Sequence, residues 1–340
     1  MSLFLLLIPV MVTALALSFL SIPFLRYLGF KIKHLDHPAA RKIHQTPVPL
    51  MGGVAILGAS LISLIIFSEP FYLKEGAGIL TGAGIMAVLG FWDDSRSLSA
   101  RTKLLGQAGA ALILIYSGVR INLFQWEAAN FGLTLLWVVG VTNAMNLMDN
   151  MDGVAGGTAV ISAFFYFMIA LFNGQYLVGL LGATVVGGAL GFLIYNLRPG
   201  YIFLGDCGSL LLGFVLAAMG IKLRFLGYDK EITWMIPVLV MGMPLLDTGL
   251  VIWSRLRRGV NPLTTPGKDH LSHRLVLLGL GRIGVLAVIY TGSIVLGATA
   301  FMIKSASYGV AYAALAAVVA LAGLAVILLE RVYYAHGDCN

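Results

Sequence analysis

Residues 178–196, VGLLGATVVGGALGFLIYN, carry no charged side chain, and LRPGYIFLGD follows at 197–206 with a glycine before its aspartate. A helix of about 20 apolar residues, rising 1.5 Å per residue, is long enough to cross a hydrocarbon core about 30 Å thick. The run lacks the strict alternation of a lipid-facing barrel strand. Inside lipid every backbone N–H and C=O must be paired internally, so a membrane-spanning helix is the state it predicts. The loop at Arg198-Pro199-Gly200 then returns the chain to a second apolar run that opens at Asp206.

Similar runs recur on both sides of this stretch. With 178–196, the segments 3–25, 51–68, 77–92, 104–119, 131–148, 157–173, 207–222, 233–253, 284–303 and 308–330 predict an all-α, polytopic membrane bundle of ten or eleven transmembrane helices. It is read as one domain over 1–340, with functional loops near 26–50, 93–103, 149–156, 197–206 and 254–283. Composition agrees: 59% of residues are hydrophobic and 11% charged, far from the roughly 25% charged of an average soluble domain. No separate soluble domain fits, and the 41 glycines suit close helix packing. The net charge of +7 resides in short loops, where membrane orientation accounts for it and nucleic-acid binding does not. Loops with Arg26, Arg41, Lys42, Arg96, Arg101, Lys103, Arg198, Arg255, Arg257, Arg258 and Lys268 are rich in cations. Those with Lys74, Arg120, Lys222, Arg224, Lys230 and Lys304 are poorer. The richer side is therefore expected in the cytoplasm of a cell-membrane protein, with the N-terminus outside and the C-terminus inside. Leu3–Leu25 lacks a basic n-region and a small-residue cleavage site, and reads as a first span. Cys207 and Cys339 are too few for a disulfide framework or a thiolate metal site.

Carboxylates at membrane depth cost about 2.5–3.5 kcal/mol each on insertion scales, which makes acids informative here. Asp93, Asp94, Asp149, Asp152 and Asp206 all fall at expected cytoplasmic ends of spans. Five carboxylates from three stretches of chain cannot all stay ionised side by side without a cation. Mg²⁺, with Mn²⁺ as a substitute, suits oxygen ligands completed by substrate phosphates, and no His/Cys cluster at zinc spacing competes. Asn146, Asp149 and Asp152 recur every third residue, which predicts one face of a helical end. Asn150 and Gly153 are residue types that tolerate positive φ. Gly205-Asp206-Cys207-Gly208-Ser209 opens the next span with helix N-terminal amides suited to phosphate; a plain N-cap role for Asp206 is the bland alternative.

At these residues the chain resembles the polyprenyl-phosphate N-acetylhexosamine-1-phosphate transferase family over nearly its whole length. The matching stretches are Asp36-His37-Pro38 through Arg41-Lys42-Ile43-His44 to Gly52-Gly53, then Asp93-Asp94, Asn143 to Gly157, Asn196 to Gly213, and Asp269-His270-Leu271-Ser272-His273-Arg274. The resemblance implies attack by a polyprenyl phosphate oxygen on the β-phosphorus of a UDP-N-acetylhexosamine, releasing UMP. It implies catalytic Asp93, Asp94 and Asp206; metal contacts from these three and Asn146; and substrate contacts from Lys42, Asn146, Asp149, Asp152, Asn196, His270, His273 and Arg274. The first loop, ending Pro-Val-Pro-Leu-Met-Gly-Gly, resembles the GlcNAc-type initiators more than the muramoyl-pentapeptide enzymes. Asn150 and Ser272 depart from residues common in the family, glycine and histidine respectively. A homodimer is compatible with the reading.

The loop from Arg255 to Arg274 gathers donors where a diphosphate would lie, although orientation alone explains Arg255, Arg257 and Arg258. Asp247, two turns inside the ninth span, is read as pairing with a loop arginine or as part of the site. An ion-coupled transporter is the competing class. Its acids would lie near mid-membrane and its halves often repeat, whereas these acids gather at one interface and no repeat is visible.

Overall fold

The computed structural model of the chain describes residues 3–38, 45–67, 73–225, 230–262, 265 and 267–335. It forms two compact units, residues 1–224 and 225–340.

The first unit contains helix α1 (Leu3–Lys31), a short antiparallel pair β1 (Leu35–Asp36) and β2 (Val48–Pro49), then α2 (Gly52–Phe67), α3 (Leu73–Arg96), α4 (Ala100–Tyr116), α5 (Glu127–Met148), α6 (Val154–Phe172), α7 (Tyr176–Asn196) and α8 (Gly205–Lys222). Leu35 pairs with Pro49 and Asp36 with Val48, which closes the base of the first loop. Small residues set the helix spacing. A Cβ on Gly187 would come 2.1 Å from the Met11 carbonyl oxygen and one on Gly191 2.6 Å from that of Leu15, so α1 and α7 touch backbone to backbone. The core helices α7 and α8 are the most enclosed, with Phe192 and Phe214 fully buried. Ser99 starts α4 by accepting from the Thr102 amide at 3.2 Å.

The second unit contains α9 (Lys230–Thr233), α10 (Met235–Val240), α11 (Gly242–Arg257), α12 (Leu271–Leu277), α13 (Arg282–Ile303) and α14 (Tyr308–Ala335). Most of α14 is exposed, and its Leu329, Glu330 and Tyr333 are buried.

Among the described residues each of the eleven expected segments falls mainly on helix, with 104–119 running three residues past α4 and Ser68 of 51–68 outside the described residues, and the protein is an all-α, multi-pass membrane protein. Among the described residues eight helices are long and apolar enough to cross a bilayer; α2 and α4, at 16 and 17 residues, are shorter. One expected span needs correction: 233–253 is not one straight helix. It breaks at Met241 and the segments Glu231–Val240 and Gly242–Arg257 meet at 76°. Pro244 supplies a reason, since proline is tolerated in the first turn of a new helix and disrupts the interior of a continuous one.

Candidate functional site

The site of the first unit begins with a glycine. A Cβ on Gly90 would lie 2.3 Å from the carbonyl carbon and oxygen of Asp206, so α3 rests directly on the first turn of α8. Asp94, one turn further along α3, thereby reaches the exposed amides of that turn. Its Oδ1 accepts from the Asp206 N–H at 2.9 Å and its Oδ2 from the Cys207 N–H at 3.2 Å. A helix N-terminus leaves four N–H groups without intrahelical partners, and a carboxylate there is favoured by both hydrogen bonding and the helix dipole. Gly205, at φ +72°, turns the chain into α8 with Asp94 Oδ2 2.6 Å from where its Cβ would be. From the other side the Gly52 and Gly53 amides donate to Phe203 and Leu204 carbonyls, each at 2.9 Å, and Gly53 lies against the Gly208 backbone. The 203–209 turn is thus held between two glycine-faced helices. The N-cap function considered for Asp206 is performed by Asp94 from another helix, leaving the Asp206 side chain for other partners.

Those partners define the charged centre. Lys103 Nζ lies 2.6 Å from Asp93 Oδ2 and 3.5 Å from Asp206 Oδ2, while Asn146 Nδ2 donates to Asp206 Oδ1 and to Ser209 Oγ, both at 2.9 Å. Asp93 Oδ1 also accepts from the Leu98 N–H at 2.5 Å. Beyond Asn146, α5 stops at Met148. Burial and the neighbouring charges of Asp206, Asp152 and Asp94 push the Asp149 carboxyl well above the ordinary carboxylate range.

The residues present fit a hard divalent cation. The donors are oxygens, and the Asp93 and Asp206 carboxylates share a single ammonium, that of Lys103. Among the described residues no three His, Cys, Asp or Glu side chains stand together at ligand spacing. The ligands beyond Asp93 and Asp206 would then be water and substrate phosphate, the usual completion of a magnesium shell. Asp94, expected among the ligands, has both oxygens on amides.

The expected common face for Asn146, Asp149 and Asp152 is not formed, because the helix ends between the first and the other two. Gly153 takes φ +89° as expected for a turn, whereas Asn150 does not have positive φ and donates from Nδ2 to the Leu147 carbonyl at 3.1 Å. Asp152 instead faces the 196–200 turn, accepting from the Gly200 N–H at 3.3 Å and from Asn196 Nδ2 at 3.5 Å. Asn196, buried, accepts from the Gly153 N–H at 2.8 Å and donates to the Ile202 carbonyl at 2.9 Å. It ties together the two turns that carry Asp149 and Asp206.

Lys42 lies outside the described residues. At the base of its loop His34 stacks on Phe91 at 4.2 Å and meets Ser95 Oγ at 3.2 Å, fixing the loop to the end of α3. Sequence reasoning placed Lys103 only among orientation charges and did not single out Gly90 or His34. A lysine ten residues after an acidic pair was the available signal for the first.

In the second unit, Asp247 pairs with His270, Nδ1 to Oδ2 at 2.9 Å, and also accepts from the Leu271 N–H at 2.6 Å, so the loop-arginine pairing is not the one formed. Those arginines take Asp269: Arg255 binds it through two 2.9 Å contacts and Arg258 through one at 2.5 Å, holding its carboxyl down at about 2 against the opposing effect of burial. Arg274 is fully buried, bonded to Glu330 at 2.7 Å and stacked on Tyr333, which makes it an internal strut. His273 is partly exposed beside His270, with ring centroids 6.2 Å apart.

Residues 77–224 match the model described as glycosyl transferase family 4. The "Probable undecaprenyl-phosphate N-acetylglucosaminyl 1-phosphate transferase" of Bacillus subtilis (strain 168) is 35% identical over 301 residues, covering 84% of this chain and 81% of that protein. The decaprenyl-phosphate N-acetylglucosaminephosphotransferase of Mycolicibacterium smegmatis is 30% identical over 357 residues, 94% of this chain and 88% of that protein. A phospho-N-acetylmuramoyl-pentapeptide-transferase, from Desulforudis audaxviator, is 34% identical over a shorter match, 63% of this chain and 76% of that protein.

Proposed function

This chain belongs to glycosyl transferase family 4, and we propose that it transfers GlcNAc-1-phosphate from UDP-GlcNAc to a polyprenyl phosphate at the cytoplasmic face of the cell membrane. The observation that carries the reading is the convergence of Asp93, Asp94, Asp206 and Asn146 from three helices on one turn. A phosphate oxygen of the carrier attacks the β-phosphorus of the nucleotide sugar. The new P–O bond makes a lipid diphosphate sugar while the bond to the bridging oxygen breaks and UMP leaves.

Asp206 and Asp93 would hold Mg²⁺ together with substrate oxygens. When bound, that ion neutralises charge on the diphosphate and on the leaving phosphate. Asp94 fixes the Asp206 backbone by its two amide bonds, and Asn146 orients one Asp206 oxygen. Lys103 keeps Asp93 and Asp206 together against their mutual repulsion. The carrier's phosphate monoester, with a second pKa near 6, is largely ionised at neutral pH, so none of these carboxylates has to remove its proton. The GlcNAc branch is favoured over the pentapeptide branch because its relatives match over more of the chain at comparable identity.

Purified protein in detergent, supplied with polyprenyl phosphate and Mg²⁺, is expected to release UMP from UDP-GlcNAc without any membrane gradient. Turnover of UDP-MurNAc-pentapeptide alone would overturn the sugar, and release of inorganic phosphate would replace the transferase with a hydrolase.

A further inference from the structure

Arg26 near the end of α1 and Arg198 just after α7 lie outside the carboxylate centre, yet both come within 6.0 Å of one aromatic ring, that of Tyr201. The Arg26 guanidinium carbon is 4.5 Å from the Tyr201 ring centroid and 5.1 Å from that of Phe30; Arg198 is 6.0 Å from Tyr201 and 5.4 Å from Tyr195. Tyr195 and Tyr201 stack at 5.3 Å, and Phe19 continues the ladder at 5.1 Å. Arg26 spends Nε on the Tyr201 carbonyl at 3.1 Å. Among the described residues neither guanidinium has a carboxylate partner, in contrast to Arg255, Arg258 and Arg274 of the other unit.

A cation over a ring face keeps its in-plane N–H groups available, and two guanidiniums within 6.0 Å of one ring without a carboxylate between them favour an anion there. The surroundings specify where that anion comes from. Phe24, Tyr27 and Phe30 around Arg26 are 63%, 64% and 40% exposed on a helix long enough to span the bilayer, the arrangement of an aromatic belt at headgroup level. We propose that Arg26, Arg198 and Tyr201 form a binding site for the phosphate of an anionic glycerophospholipid of the surrounding leaflet.

The site has a route to the carboxylate centre. The Tyr201 carbonyl is the Arg26 acceptor, and four residues later the same turn reaches Gly205 and Asp206. Phe203 is bonded in between to the Pro49 carbonyl at 3.0 Å. A lipid phosphate joining the two arginines would tie the end of α1 to the turn that aims Asp206, so anionic lipid should stabilise the protein and raise its turnover.

Detergent-solubilised full-length protein is titrated with phosphatidylglycerol and, separately, phosphatidylcholine, and melting temperature is followed without substrates. Phosphatidylglycerol alone is expected to raise it. Each arginine near an anionic surface is worth about fivefold in binding, so the double variant R26Q/R198Q should need about 25-fold more phosphatidylglycerol for the same shift. R198Q, at an exposed position, should need about fivefold more and serves if the double variant does not fold. Equal phosphatidylglycerol response in wild type and variants overturns the site. A shift reproduced by inorganic phosphate in the absence of anionic lipid assigns it to a soluble ion and overturns the lipid. A raised KM for polyprenyl phosphate in R198Q would make it part of the carrier site and likewise overturn the proposal. Because melting is read without substrate, failure of the transferase reading leaves this outcome distinct.

Discussion

Gly90→Ala is the smallest change that should take the charged centre apart. The added Cβ would stand 2.3 Å from the Asp206 carbonyl carbon and oxygen, where ordinary contact begins at 3.4 Å, so α3 and α8 must separate by about 1 Å at this point. Both contact atoms are backbone at the start of a helix and have no rotamer to change. Separation stretches the Asp94 bonds to the Asp206 and Cys207 amides, now 2.9 and 3.2 Å, beyond useful length. Overpacking of this kind costs about 1–3 kcal/mol of stability, and a displacement of about 1 Å at a catalytic centre costs about a hundredfold in rate. Gly84→Ala on the same helix is the control, because nothing lies within 4 Å of its Cβ. There alanine should raise helix stability by about 0.5–1 kcal/mol and leave rate unchanged. UMP release at saturating substrates, with a melting curve of each variant, reads both effects. Gly90→Ala with more than about half of wild-type turnover would refute the reasoning, as would an equal loss in Gly84→Ala.

Asp206→Asn, nearly isosteric, should retain the fold and lose at least about a hundredfold in turnover at saturating Mg²⁺, measured as UMP release. Asp269→Asn should lower the melting temperature at neutral pH by removing a carboxylate whose folded-state pKa is depressed from 3.8 to about 2. That contribution, about 2 kcal/mol, is fully present above pH 4 and lost as pH falls through 2, so melting curves of variant and wild type should converge on acidification. His273→Ala should reduce kcat/KM for the UDP-sugar about ten- to a hundredfold with little change in the carrier's KM. His270→Ala should lower the melting temperature as well, since it also breaks the buried pair with Asp247; unchanged donor kinetics in both histidine variants would refute a donor-binding role for them.

The membrane class and the helical segments were legible because lipid imposes one requirement, internal backbone pairing, on every span. The convergence of Asp93, Asp94 and Asp206 was legible from the cost of placing acids there. Their division of labour was not. That Asp94 also caps α8 could not be read from sequence, because Gly90 brings it against amides 112 positions away. Lys103 looks like any basic loop residue until α4 folds back and sets it 2.6 Å from Asp93. The three-residue spacing of Asn146, Asp149 and Asp152 misled because spacing specifies a face only while the helix continues, and α5 ends at Met148. The break at Met241 was marked by Pro237 and Pro244, but proline occurs inside unbroken membrane helices as well, as Pro9 and Pro23 of α1 show.

The capping of α8 by Asp94 bears on the order of assembly. A helix whose first amides are satisfied by a neighbouring span lacks their side-chain acceptor until that span is in place. The acceptor on α3 emerges from the ribosome more than a hundred residues before the amides do. Synthesis therefore delivers the acceptor before the amides it will receive, and α8 can dock onto a helix made earlier. Truncations ending after α8 should hold it more stably when α3 carries Asp94 and Gly90 than when either is replaced, which would give the charged centre a part in assembly as well as in chemistry.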